Sequence, residues 1–464
     1  MRIYSTLTRR KEEFTPLVPG EVRMYVCGVT PYDYSHIGHA RSAIAFDVIR
    51  RYFLFRGHRV TFVKNYTDVD DKIIRRAREE GVEAKVIAER YMAEDRVDMA
   101  SIGVMPPDVE PRATEHIPQM VALIERLLAG GFAYAVDGDV YFEVRRFPEY
   151  GKLSGKNLDE LLAGARVEID ERKRDPRDFA LWKAAKPGEP SWPTPWGAGR
   201  PGWHIECSAM AMQYLGETFD IHGGGEDLVF PHHECEIAQS EAATRRPFAR
   251  YWLHNAFVNF GAEKMSKSLG NTLTIRELVK RHRPDAFRLW LLGAHYRSPI
   301  EWAEARIEES GRALERFDRL FHDARALGAV GAGPEALPDD ARAHTERFQA
   351  AMDDDFNTPQ ALGVLFDLGR ALGEVVDRAA RDAGARAAAV AGVGELRRLG
   401  GALGLFQEGG VAEPPEEVRR LVAERTEARR LRDWKRSDAL RDEIRRLGWT
   451  VEDTAAGPRL TPAR

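Results

Sequence analysis

An apolar run from Met24 to Val29 gives way to a short polar turn. The tetrapeptide His36-Ile37-Gly38-His39 then opens a segment, Ala40 to Phe55, whose apolar residues recur at helical spacing. A second run, Val60-Thr61-Phe62-Val63-Lys64-Asn65-Tyr66-Thr67, follows almost at once. Strand, helix and strand in so short a stretch form a βαβ unit, which restricts this part of the chain to an α/β fold with a Rossmann-like parallel sheet. The second half of that sheet is expected to resume at Phe219-Asp220-Ile221-His222 and to include Ala256-Phe257-Val258-Asn259-Phe260.

The junction residues carry chemistry. Gly38 removes a side chain where a nucleotide would lie against the backbone, and a helix N-terminus offers N–H groups to anions. His36 and His39 are close enough to point into one pocket and donate hydrogen bonds to charge on a phosphate. A turn with two exposed histidines is the alternative. Far downstream, Lys264-Met265-Ser266-Lys267-Ser268 lies between Gly261 and Gly270-Asn271. Lys264 and Lys267 flank Ser266, and two ammonium groups suit a pyrophosphate leaving group, although a short lysine-bearing stretch is often only solvated surface. The two motifs in this order, over two hundred residues apart, are more informative than either alone.

Composition narrows the field. The 464 residues are more than one domain requires, with 43% hydrophobic and 31% charged side chains. Met1-Arg2-Ile3-Tyr4 begins no apolar leader and no stretch is long enough to span a bilayer, so a cytoplasmic location is expected. A net charge of −4 means that any nucleic-acid footprint must be local. The three cysteines, Cys27, Cys207 and Cys235, do not suggest a disulfide framework.

Four residues apart on an expected helix, His232 and Glu236 share a face and can bind one ion, or form an ordinary surface pair. Cys27 ends the first strand, and Cys207 follows Gly202-Trp203-His204-Ile205-Glu206. Each is either a thiolate ligand or a small buried hydrophobe. Past Glu304 strands cease. Leu314, Phe317, Leu320, Phe321, Ala324 and Leu327 fall at spacings of three and four, an amphipathic helix of a bundle. Between Glu416 and Leu447 lie eleven basic and eight acidic residues, and Trp449 to Asp453 reads as a short strand.

With both motifs complete, the chain resembles the class I aminoacyl-tRNA synthetases, and through nearly its whole length the cysteinyl-tRNA synthetases in particular. The resemblance implies a Rossmann-like catalytic domain over residues 1–303, with an inserted connective domain at about 106–201 and a mobile-looking lysine loop at 264–268. A helical bundle over 304–406 and a small C-terminal tRNA-binding module over 416–464 would follow. It implies one zinc ion per chain, held by Cys27, Cys207, His232 and Glu236; Cys235 departs from the family pattern and, about 100° from Glu236 around a helix, is expected to be a bystander. Zinc binds thiolate far better than hydroxyl, which suits separating cysteine from serine. Glu236, as a carboxylate, is expected to be the ligand that yields when substrate sulfur binds.

The same resemblance places His36, Gly38, His39, Gly224, Gly225, Lys264, Ser266 and Lys267 at ATP, with Mg2+ accompanying the nucleotide, and Gly28, Thr67, Trp203 and Asp227 around L-cysteine. His36, His39, Lys264 and Lys267 would stabilise the reaction that forms cysteinyl adenylate. The cysteinyl group would then pass to tRNA(Cys), with Trp434 and Trp449 available to stack on unpaired bases. A monomer is expected. Two rivals stand beside this reading: a mycothiol-type ligase joining activated cysteine to an amino sugar, and a catalytically inactive synthetase-like RNA-binding protein. The C-terminal module argues against the first and the intact motifs against the second.

Overall fold

The computed structural model describes residues 1–156, 171–260, 263–264, 273–327, 337–379, 382–406, 415–454 and 457–462. It divides into two compact units. One comprises Met1–Arg312, Glu346–Gly363 and Ala402–Gly404; the other comprises Ala313–Thr345, Val364–Gly401 and Leu405–Arg464.

The first unit is built on a four-stranded sheet, all parallel, in the order Ala249–Asn255, Phe219–Gly225, Glu21–Val29, Arg59–Tyr66. Met24, Tyr25 and Val26 are buried, as befits a strand covered on both faces. The helix after the first strand runs from Ile37 to Phe55 and starts three residues before the apolar spacing does, because His36 caps it. The register between Glu21–Val29 and Arg59–Tyr66 slips between Val26 and Val29, and the Gly28 N–H is taken up by the Asn65 side chain at 2.9 Å. A β-carbon on Gly28 would lie 1.5 Å from the Asn65 carbonyl oxygen, so the irregularity requires glycine.

One expectation is corrected here. Ala256–Phe260 does not supply the last strand of this sheet. That strand is Ala249–Asn255, while Val258–Phe260 pairs with Glu263–Lys264 and Ile300–Glu301 in a separate sheet. Exposed Arg250 and the polar pair His254 and Asn255 interrupt the apolar signal of a segment that is otherwise buried.

Residues 133–201 add a second, antiparallel sheet of Ala133–Val136, Asp139–Phe142, Phe179–Ala184 and Gly199–Pro201. One hydrophobic cluster runs from Tyr25 and Val63 through Ile124, Phe142 and fully buried Trp182 to Cys207, Ile237 and Trp252, so the insertion shares a core with the parallel sheet. Val109 and Arg112 bridge to Val63 and Tyr66 along the edge of that sheet. A late segment completes the unit. Buried Asp355 accepts from the Tyr4 N–H at 2.8 Å, the Tyr296 hydroxyl at 3.0 Å and Arg297 Nε at 2.8 Å.

The second unit is helical, with buried Leu314, Phe317, Leu320 and Ala324 beside half-buried Phe321 and Leu327. Its C-terminal portion packs the helices Glu416–Arg430 and Trp434–Arg446 against Trp449 of the Trp449–Thr454 strand, which pairs with Gly457–Pro462. No helix among the described residues is long and apolar enough to cross a membrane.

Candidate active site

Chain order along the sheet reverses between Glu21–Val29 and Phe219–Gly225, and the crevice at the carboxyl ends of such strands is where ligands bind in open α/β sheets. Cys27, one residue before the irregularity at Gly28, meets three partners there. Its Sγ is 3.7 Å from Cys207 Sγ, 3.5 Å from His232 Nε2 and 3.4 Å from Glu236 Oε1, and the last two are 3.0 Å from each other. Cys207 comes from the helix Trp203–Leu215 and Glu236 from Glu234–Thr244, with His232 on the turn before it.

These four atoms fit a zinc ion. A tetrahedron with metal–sulfur bonds of about 2.3 Å and metal–nitrogen bonds of about 2.0 Å has sulfur–sulfur edges near 3.8 Å and sulfur–nitrogen edges near 3.5 Å. Glu236 and Cys207 are held as anions, whereas Cys27 and His232 hold protons that a bound cation would displace: burial disfavours the His232 imidazolium, but Glu236 and Cys207 lift it to about 10. Burial disfavours the Glu236 carboxylate, yet His222 and His232 outweigh it and hold the group down at about 2. Burial likewise works against the Cys207 thiolate, but the hydrogen bond from Cys27 and the neighbouring His232 bring it to about 6, while burial and that same pairing push Cys27 up. A second grouping, Cys27 with His222, His233 and Glu236, is equally close. It offers one sulfur instead of two, and its histidines are committed to donors of the first set, His222 to Glu236 and His233 to Cys27.

Those commitments form an outer layer. His222 Nε2 lies 2.9 Å from Glu236 Oε2, and its ring stacks on Trp252 at 4.4 Å. His204 and His232 share a contact between their Nδ1 atoms at 2.9 Å, and Trp203 stacks on His232 at 4.2 Å. His233 Nε2 is 3.3 Å from Cys27, and a chain continues through His254 at 2.8 Å to Thr6 at 2.7 Å. Such partners fix the orientation of metal ligands. Cys235 stands apart: it is buried against the Tyr150 hydroxyl at 3.2 Å.

The histidine tetrapeptide is a capping box made of imidazoles. His36 Nδ1 accepts from the Gly38 N–H at 3.1 Å, His39 Nδ1 accepts from the His36 N–H at 3.3 Å, and the rings stack at 3.8 Å. Because both Nδ1 atoms accept, a neutral ring must carry its proton on Nε2, so each histidine presents a donor edge. A cavity of about 630 Å³ reaches these rings and is also lined by Cys27, Gly28, Trp203, Gly225 and Asp227.

Comparison with known proteins matches three family models to successive parts of the chain. The model of the class I (C) tRNA synthetase catalytic domain matches residues 13–312, the DALR domain 347–407, and the cysteinyl-tRNA ligase anticodon binding domain 412–457. The cysteine–tRNA ligase of Geobacter sulfurreducens is 53% identical over 98% of each chain, and that of Alkalilimnicola ehrlichii is 54% identical over 98% of each. This chain belongs to the cysteine–tRNA ligase family. Among solved structures, methionyl-tRNA synthetase of Mycobacterium tuberculosis in complex with methionyl-adenylate matches with a TM-score of 0.63 at 16% identity, covering 84% of this chain and 92% of that one, a likeness of fold.

In this class I ligase the expected residues fall into four groups. Cys27, Cys207, His232 and Glu236 converge as described, and Glu236, expected to yield, has both oxygens engaged. His36, Gly38, His39, Gly28, Trp203, Gly225 and Asp227 line the cavity. Thr67 and Gly224 do not: Thr67 is buried within reach of the Asn65 amide at 3.4 Å, and a β-carbon on Gly224 would press on His233 and Leu228. Lys264 lies in the strand Glu263–Lys264, whereas Ser266 and Lys267 lie outside the described residues. Sequence reasoning missed the outer histidines of the ligase, because His204, His222, His233 and His254 share no spacing that would mark them as one cluster.

Proposed function

We propose that the chain activates L-cysteine with ATP to cysteinyl adenylate and transfers the cysteinyl group to tRNA(Cys), with the thiol selected at the four-donor cluster. The observation that carries this reading is one cavity lined both by Cys27 of the cluster and by His36 and His39. A zinc ion held by Cys27, Cys207, His232 and Glu236 would supply a Lewis acid that favours a thiolate over a hydroxyl.

The chain's own residues do the rest. Trp203, 42% exposed and stacked on His232, walls the space beside the cluster, and Asp227 offers a carboxylate to the substrate ammonium. The substrate carboxylate attacks the α-phosphorus of ATP and pyrophosphate leaves, so no protein nucleophile is needed. His36 and His39 donate to the phosphate oxygens, Gly225 lets the nucleotide approach the backbone, and Lys264, Ser266 and Lys267 meet the leaving pyrophosphate, magnesium accompanying the nucleotide. The test is cysteine-dependent pyrophosphate exchange followed by charging of bulk tRNA, with serine as the control and metal content measured alongside. Exchange and charging specific to cysteine support the reading. Exchange without charging would point to a ligase with another acceptor, and serine activated as well as cysteine would overturn thiol selection.

A further inference from the structure

The turn that carries His36 is held from two further elements. On one side it pairs as a short antiparallel ladder with the chain that follows the lysine motif: His36 bridges Thr274, the Ile37 N–H donates to Leu273 O at 3.1 Å, and the Ile275 N–H donates to Ser35 O at 3.0 Å. Thr274 is itself the cap of the helix Ile275–Arg281, closed by Glu277 in a second capping box. Two helix starts therefore face each other through their cap residues. On the other side lies the helix Ala84–Ser101. Its Asp95 accepts from Ser35 Oγ at 2.5 Å and from the Tyr66 hydroxyl at 2.9 Å. One residue joins both sides. Arg276 places its guanidinium 3.7 Å from the centre of the Tyr34 ring and donates to Glu94 at 2.7 Å and to buried Asp98 at 3.1 Å.

We propose that Arg276 is a positioning residue for adenylate formation: stacked on Tyr34 and paired with Glu94 and Asp98, it fixes the exit of the lysine segment against the histidine turn. The proposal rests on the reading of the site given above. The reason is mechanical. His36 orients through the Gly38 N–H and His39 through the His36 N–H, so a shift of the His36 backbone moves both Nε2 edges together. Misplacement of catalytic groups by about 1 Å costs on the order of a hundredfold in rate. Arg276 meets Tyr34, Glu94 and Asp98, none of them a donor of the cluster or a residue lining the cavity beside it, so its loss should leave cysteine binding intact. Lysine cannot replace it, having neither the plane to stack nor the fork to bridge two carboxylates.

The experiment is steady-state pyrophosphate exchange in the full-length protein, with kcat and the KM for cysteine determined separately, together with metal content and melting temperature. Arg276→Ala also strands buried Asp98, so Arg276→Lys, which keeps the charge, and Tyr34→Leu, which keeps both ion pairs, carry the test. Each should lower kcat about tenfold or more, with the KM for cysteine and the metal content unchanged. The double variant should lose less than the product of the two single effects, because the contact between the two side chains is common to both. Tyr34→Phe should behave as wild type. Wild-type kcat in both Arg276→Lys and Tyr34→Leu would overturn the proposal, as would a fall in metal content or melting temperature that tracks the lost rate. No cysteine-dependent exchange in the wild-type protein would instead overturn the reading of the site, and this proposal with it.

Discussion

Cys207 and Cys235 are both buried thiols, yet their surroundings assign them opposite fates. Cys207 accepts from the Cys27 thiol beside Glu236 and His232, whereas Cys235 meets a phenol. Cys207→Ser should therefore abolish stoichiometric metal in the purified protein and with it cysteine-dependent exchange. Cys235→Ala should keep both and cost about 1–3 kcal/mol of stability by leaving the Tyr150 hydroxyl unpaired, read by denaturant unfolding. His222→Gln tests the outer layer. Releasing one Glu236 oxygen should weaken metal retention or activity by about 10–100-fold in a chelator competition assay. The four inner donors were legible as residue types, and His232 and Glu236 by their spacing. Only the resemblance joined them to two distant cysteines, since sequence distance hides what the sheet brings together.

Among the elements, the two terminal tryptophans show where reading a sequence stops. Both were candidates to stack on unpaired bases, but Trp449 is 6% exposed in the core of the C-terminal portion while Trp434 is 56% exposed with Arg429 over its ring at 5.5 Å. Local sequence offers aromatic and basic residues around each and does not say which face is covered. Trp449→Ala should cost about 3–5 kcal/mol of local stability, whereas Trp434→Ala should leave melting unchanged and lower tRNA charging more than pyrophosphate exchange. The same portion carries an acid-sensitive tie. Arg425 donates to both oxygens of Asp453 at 2.8 and 2.9 Å, and that bonding holds the Asp453 carboxyl below its usual range. A lowered native value means the tie stabilises at pH above about 4, where the unfolded carboxylate is charged, and is lost as pH falls through the native value. Arg425→Gln should flatten that dependence in melting curves taken on acidification. The βαβ start, by contrast, was legible apart from the first turn of its helix, because apolar runs that contain β-branched residues flank a helical spacing with no competing signal. Ala249–Asn255 was not, because the strand ends in polar residues that serve the site.

For the molecule as a whole, the charge balance sets a testable contrast. With a net charge of −4, attraction for a polyanion has to come from local groupings such as the basic residues between Arg419 and Arg446. Charging of tRNA should therefore weaken steeply between about 50 and 200 mM salt, while cysteine-dependent exchange, which needs no RNA, should change far less. The two compact units are a further property that no local motif announces: the first is discontinuous, closed by Glu346–Gly363 and Ala402–Gly404. Its N-terminal strand Arg2–Ser5 pairs with Arg10–Glu13 and accepts the Trp252 N–H on Ser5 Oγ, and it is tied to the late segment through Asp355, whose carboxylate takes up the Tyr4 N–H. On a ribosome adding about 5–20 residues per second, that last tie is made several tens of seconds after the strand emerges. The catalytic unit thus cannot finish folding as a nascent fragment, and a chain cut short before Asp355 would carry both sequence motifs and still lack the closing tie of the fold that aligns them.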